Sequence, residues 1–238
     1  MVKALYEYGM IIGESQIHVR SDREDAMLEA IKSIKYHRQQ LIRYIQNDPL
    51  FQYTLKPIEI APDAPEIVRA MTESCGIADV GPMASVAGSL ADLGIKAMLK
   101  CGAKVAVIEN GGEVAAFTER PVHITILSNN SPISGKIGFQ ITREDCPIGI
   151  ATSSGEVGNA ISFGEADSAT VIANSASLAD AASTAVCNAV IGENAEDSIL
   201  LGLKRAGGID GVRGALIIRK GHAGLIGRLP RIIKVKDG

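Results

Sequence analysis

The sequence predicts an α+β protein in which a mixed β-sheet packs against helices, and three observations carry that reading. Lys3 to Ile12 and Ser15 to Val19 alternate apolar and polar residues around Gly13-Glu14, the period-two pattern of a β-hairpin. Ala26, Ile31, Ile34, Leu41 and Ile45 form an apolar stripe at helical spacing. Lys104 to Glu109 (KVAVIE) and Ser168 to Ala173 (SATVIA) are short continuous apolar runs of the kind that become strands buried on both faces.

The elements follow in order. Ser21 and Glu24 have the spacing of a capping box, so a long helix is expected from Ser21 until Asp48-Pro49 breaks it. Leu50 to Ile60 reads as irregular or a strand, punctuated by Pro57 and Pro62, and Asp63 to Ser74 as a second helix. Pro82 suits the first turn of a third helix reaching Cys101. That helix is rich in small residues, which favours close packing, and its first turn offers N–H groups to an anion. Asn110-Gly111-Gly112 turns KVAVIE into a strand from Glu113 to Phe117. Val122 to Leu127 and Ile137 to Thr142 are further strands around the loop Ser128 to Gly135. The Gly/Ser-rich stretch around Thr152-Ser153-Ser154-Gly155 is expected as a loop before the strand Ser168 to Ala173. Asn174, Ser175 and Ser177 offer caps for an alanine-rich helix from Ala176 to Val190, stopped by Gly192. A helix from Ala195 to Ala206 and strands Val212 to Arg219 and Ile232 to Val235 complete the chain, expected as one domain over residues 1–238 with 1–62 as a hairpin-plus-long-helix extension.

Composition excludes several function classes. With 46% hydrophobic residues in 238, the chain can bury a full core. A formal net charge of -3 and a pI near 5.8 give no basic field for a nucleic-acid backbone. No apolar run reaches membrane-spanning length and no signal-peptide core follows Met1, so a cytoplasmic protein is expected. Cys75, Cys101, Cys146 and Cys187 are scattered without Cys-x-x-Cys spacing, which argues for reduced thiols rather than a zinc site or disulfides.

The residues suited to chemistry lie in three places. Asp180 and Thr184 stand four apart on one helix face, and so present a carboxylate and a hydroxyl to a hard cation such as Mg²⁺. With only two oxygens from that face, backbone carbonyls of Gly81 to Met83 would complete the shell, and Asp180 is expected to carry little structural duty. Asn110, Gly111 and Gly112, together with Thr152, Ser153, Ser154 and Gly155, offer hydroxyls and close backbone approach to an anionic small molecule in one cleft. Two ordinary turns account for these segments equally well. Cys187 beside the polar face is expected as an inert packed thiol.

Three stretches in this order resemble the ApbE superfamily of flavin transferases, which move FMN from FAD to a protein threonine with magnesium. They are VIENGGEV (107–114), GIATSSGEV (149–157) and LADAASTAVCNAVIG (178–192). The resemblance implies an ApbE-like fold, Asp180 and Thr184 as magnesium ligands, and Asn110, Gly111, Gly112, Thr152, Ser153 and Ser154 around FAD or another anionic nucleotide. These motifs span about Ile77 to Gly192, with the N-terminal hairpin and long helix outside them. The chain departs from the transferases twice. Asp79-Val80-Gly81-Pro82-Met83-Ala84 leads into Ser85-Val86 without the family's lysine, and residues 156–167 (EVGNAISFGEAD) replace its His-Ile-x-Asp-Pro-x-Thr-Gly segment. As a whole the chain is most similar to a prokaryotic ApbE-like branch associated with sulfur assimilation and homocysteine formation. That resemblance implies an accessory small-molecule- and cation-binding protein with sulfur-metabolism partners and without FMN transfer. The alternative is a magnesium-dependent flavin transferase or related enzyme with rearranged residues. A homo-oligomer subunit is a third reading, suggested by the small-residue helices.

Overall fold

The computed structural model describes residues 4–125, 135–155 and 163–235. An eight-stranded sheet runs β1-β2-β3-β4-β7-β8-β9-β10, and a three-stranded sheet runs β11-β6-β5. The strands are β1 (Tyr6–Ile12), β2 (Ser15–Ser21), β3 (Val105–Asn110), β4 (Glu113–Thr118), β5 (Val122–Thr125), β6 (Ile137–Ile141), β7 (Ile148–Ser153), β8 (Ser168–Ala173), β9 (Val212–Arg219), β10 (His222–Gly227) and β11 (Arg231–Lys234). Every pairing between described strands is antiparallel. The helices are α1 (Glu24–Asn47), α2 (Leu50–Tyr53), α3 (Glu66–Ala78), α4 (Val86–Lys100), α5 (Ala176–Ala189) and α6 (Ala195–Gly207).

Side-chain alternation sorts the central strands onto two faces. Ala106 and Ile108 of β3 and Ala115 of β4 join Ile17, Ile34 and Met98 under α1 and α4. Val105, Val107, Val114 and Ile150 face the other way, against Ile124, Phe139 and Ile141 of the small sheet. The large sheet is thus the middle layer, and its central strands are apolar on both faces because both are covered. The hairpin β1-β2 is continuous with it, since β2 pairs with β3 from Ile17↔Asn110 to Ser21↔Ala106.

Most expected elements form, and the differences have local causes. The capping box at Ser21 does not: Ser21 is the last residue of β2, and its hydroxyl donates to Val105 O at 2.8 Å while accepting from Arg23 N at 3.2 Å. Sheet pairing outcompetes the cap, and α1 starts at Glu24. Leu50–Tyr53 is a short helix rather than irregular chain, anchored by the buried Phe51 edge-on to Tyr44 at 5.1 Å. The third helix opens as a 3₁₀ turn (Pro82–Ser85) before α4. The strands β7 and β10 have no counterpart in the sequence reading, because the small polar end of β7 resembles a loop and two glycines weaken the periodic signal of β10. Residues 126–134 and 156–162, which hold most of the loop from Ser128 and of the replaced transferase segment, lie outside the described residues.

Candidate functional site

Helix α5 sits between the large sheet and helices α3, α4 and α6, and its alanines make that possible. Ala179, Ala181 and Ala182 are fully buried, so neighbouring backbones come close on several sides. The crossing with α4 is closest at Gly88, where a Cβ would stand 2.2 Å from Ala176 O.

At this crossing the two helices cap one another. Asp92 of α4 accepts hydrogen bonds from Ala176 N at 2.9 Å and Ser177 N at 2.8 Å in the first turn of α5. Asp180 of α5 accepts from Gly88 N at 2.9 Å through Oδ2, in the first turn of α4. Each carboxylate therefore satisfies orphan amides and meets the positive end of the other helix's dipole. Ser85 Oγ adds a bond to Ser177 O at 2.7 Å. The α4 N-terminus, a candidate anion site on sequence grounds, is engaged by Asp180 instead, and Asp180 has the structural duty that the sequence reading withheld from it.

Carboxylates gather around Asp180. Burial pushes its carboxyl up to about 7, against the pull of the Gly88 amide and with a further push from the charge of Asp92. Glu113, the first residue of β4, is pushed well above its ordinary range by burial and then by the charge of Asp180. The nearby Cys75 thiol is raised by burial and by Asp180 as well. Asn110 is the cross-strand partner of Glu113. Its Nδ2 donates to Ala87 O at 3.0 Å, and its Oδ1 is buried without a hydrogen-bond partner. The flipped amide would set Oδ1 against the Ala87 carbonyl oxygen, which fixes the orientation and leaves Oδ1 as an unused acceptor. Two raised carboxyls beside an unpaired oxygen form an oxygen-rich, electron-rich corner that a hard cation or a proton would relieve. Thr184, one turn along α5, is buried at 6% exposure. Pro82 O accepts from the Cys75 thiol at 3.5 Å, and Gly81 O accepts from Ala84 N at 3.1 Å, so these two carbonyls already have partners.

The remaining predicted residues fall at the same end of the sheet but not all on the same face. Gly112 and Thr152 line one small pocket of about 20 Å³ with Glu109 and Thr125, on the side of the small sheet. Asn110 points to the helices. Thr152 and Ser153 are the last residues of β7 rather than a loop, because they pair with Thr170 and Ala169, and the Thr152 and Thr170 hydroxyls stand 2.9 Å apart. The turn amides are partly committed: Gly111 N donates to Gln16 O and Gly155 N to Ala166 O, both at 2.9 Å. Gly111 and Gly112 do take the positive φ values, 68° and 111°, that the turn demands. Sequence reasoning missed Glu113 and Asp92 as members of this region. Glu113 directly follows the Gly-Gly turn and was legible as its neighbour, whereas nothing in the sequence ties Asp92 to residues 176–177.

A family model described as "AbpE bacteria" matches residues 4–199. The chain belongs to that family. Its match begins at residue 4, so it takes in the hairpin and long helix that the three motifs left outside. Among similar proteins, a UPF0280 protein of Methanocaldococcus jannaschii is 39% identical over 227 residues, covering 94% of this chain and 92% of the relative. A UPF0280 protein of Methanosarcina acetivorans is 39% identical over 225 residues, covering 94% and 87%. The fold is shared with the ApbE protein of Thermotoga maritima, at TM-score 0.62 and 14% identity over 94% of this chain and 97% of that one. The flavinyl transferase ApbE of Pseudomonas stutzeri gives TM-score 0.60 and 14% identity over 94% of each chain. At these identities the likeness establishes an ApbE fold for this AbpE-family chain, and its chemistry rests on its own residues. No helix among the described residues is long and apolar enough to cross a membrane.

Proposed function

We propose that this chain is an ApbE-like protein that binds a hard divalent cation and an anionic small molecule without the full machinery of FMN transfer. The observation that carries the reading is the corner formed by Asp180, Glu113 and the unpartnered Asn110 Oδ1. All three are oxygen donors, which suits Mg²⁺ better than a thiophilic metal. Thr184 is the further hydroxyl on the Asp180 face of α5, and the ion would draw both carboxyls into their ionised forms. Gly112 and Thr152 mark where the anionic partner, FAD or another nucleotide, would approach from the strand ends. A role as an accessory to sulfur assimilation or homocysteine formation is part of this proposal and rests on the family resemblance alone.

The test is calorimetric titration of the purified protein with Mg²⁺, FAD, and both together, beside incubation with FAD, Mg²⁺ and a threonine-bearing acceptor domain. Cation-dependent binding without covalent flavin on the acceptor is the expected pair of results. The fold shared with flavinyl transferases supports the second reading, a rearranged magnesium-dependent flavin transferase. Covalent flavin fluorescence on the acceptor in a denaturing gel would establish it in place of the first.

A further inference from the structure

We propose a second ligand site, at the other end of the interface between the sheets, that takes a small monocarboxylate with an apolar body. A pocket of about 140 Å³ opens there, with Ile148 and Ile172 as an apolar floor and Cys146 and Pro230 beside them. A cavity of ~150 Å³ lined by apolar side chains holds benzene, so this one accommodates a body of about six carbons. Arg213 and Arg228 supply the positive charge at its wall, which Glu144 and Asp145 also line.

Arg213 is fixed before any ligand arrives. Its Nη1 donates to Asp145 O at 2.5 Å, its Nη2 to Pro147 O at 2.6 Å and its Nε to Asn174 Oδ1 at 2.7 Å. All three acceptors are neutral, so the guanidinium is held in place without a hydrogen-bonded carboxylate and with two N–H groups unused. Arg228 is 73% exposed and lies 3.8 Å from Asp145 Oδ1, too long for a strong pair. Asp145 is engaged elsewhere, with Oδ2 accepting from Thr142 N at 2.9 Å and from the Thr142 hydroxyl at 2.8 Å. Two guanidinium groups near an apolar floor suit a carboxylate head on a hydrocarbon body, held by charge-assisted bonds. Glu144 and Asp145 on the same lining repel a dianion such as a phosphate monoester more than a single carboxylate, which favours the latter. Burial raises the Cys146 thiol, so it contributes surface rather than a nucleophile.

Benzoate is the probe, with benzyl alcohol as its neutral counterpart, each titrated into the ¹⁵N-labelled full chain. Arg228→Gln is the decisive variant, because Arg213 also ties three segments together and its loss would disturb the fold. Benzoate is expected to shift the amides of Cys146, Ile148 and Arg213, to bind about tenfold more weakly to Arg228→Gln, and to exceed benzyl alcohol by a similar factor. Equal binding of the alcohol, unchanged affinity in the variant, shifts confined to Gly112 and Thr152, or no shift up to about 20 mM would each overturn the site. None of these readings depends on Mg²⁺ or FAD binding at Asp180.

Discussion

Asp180 carries two duties that its variants separate. As a cap it accepts the Gly88 amide, and as a charge it faces Glu113. Asp180→Asn keeps an acceptor for that amide and removes the charge, so the chain is expected to fold with near-normal stability and to lose Mg²⁺-induced stabilisation. Asp180→Ala loses the cap as well and is expected to cost about 0.5–2 kcal/mol, the range measured for lost N-caps. Denaturant melts of both variants with and without Mg²⁺ decide this; full Mg²⁺ stabilisation in Asp180→Asn would remove the cation from the account. Asn110→Leu tests the unused oxygen in the same assay. It also removes the Nδ2 hydrogen bond to the Ala87 carbonyl, so weaker Mg²⁺ stabilisation must be read against the drop in the metal-free melt.

Helices α4 and α5 form a unit whose geometry depends on small residues and reciprocal caps. Gly88→Ala places a methyl group where Ala176 O stands 2.2 Å away, and backbone cannot give way as a flexible side chain would. The crossing must open, which separates both Asp-to-amide contacts at once. A loss of about 3 kcal/mol or more is expected, above the usual cost of an inserted methyl group. Asp92→Ala, which leaves the Ala176 and Ser177 amides without their acceptor, is expected to cost about 1–2 kcal/mol. If Gly88→Ala melts with the wild type, the close crossing is not what holds the pair.

For the molecule as a whole, half-buried carboxylates raised by desolvation dominate the pH response. Asp92, Glu113 and Asp180 are all raised, each first by burial. A carboxyl raised on folding binds its proton more tightly in the folded state. The metal-free protein is therefore expected to be most stable near the ordinary carboxylate range and to lose stability as pH rises toward about 7, the value to which Asp180 is pushed. The exposed Glu66–Lys96 pair acts in the opposite direction only below this interval, and half-buried His37, lowered by burial, opposes the trend within it as a single group against the raised carboxyls. Mg²⁺ competes with protons for the same oxygens, so its stabilising effect should grow across this interval. Thermal melts from about pH 5 to about pH 8, with and without Mg²⁺, test both signs, and a metal-free profile that rises through this range would contradict the burial argument.

The sequence by itself determined most element types, because the continuous apolar runs KVAVIE and SATVIA and the helical spacing in α1 are local consequences of backbone geometry. It also determined the Asn110-Gly111-Gly112 turn, whose φ values glycine alone adopts cheaply, and the i,i+4 placement of Asp180 and Thr184 on α5. It overcalled the Ser21 capping box, since a hydroxyl near a helix start is equally able to join a sheet edge, and it took β7 for a loop because glycines and small polar residues favour both. Only the tertiary structure decided that Asp92 and Asp180 cap each other's helices, that Glu113 joins Asp180, and that Thr152 faces away from Asn110. These contacts join residues up to 92 positions apart. Which face a strand residue takes and which helix crosses above it follow from the packing of layers, and local periodicity carries no record of that.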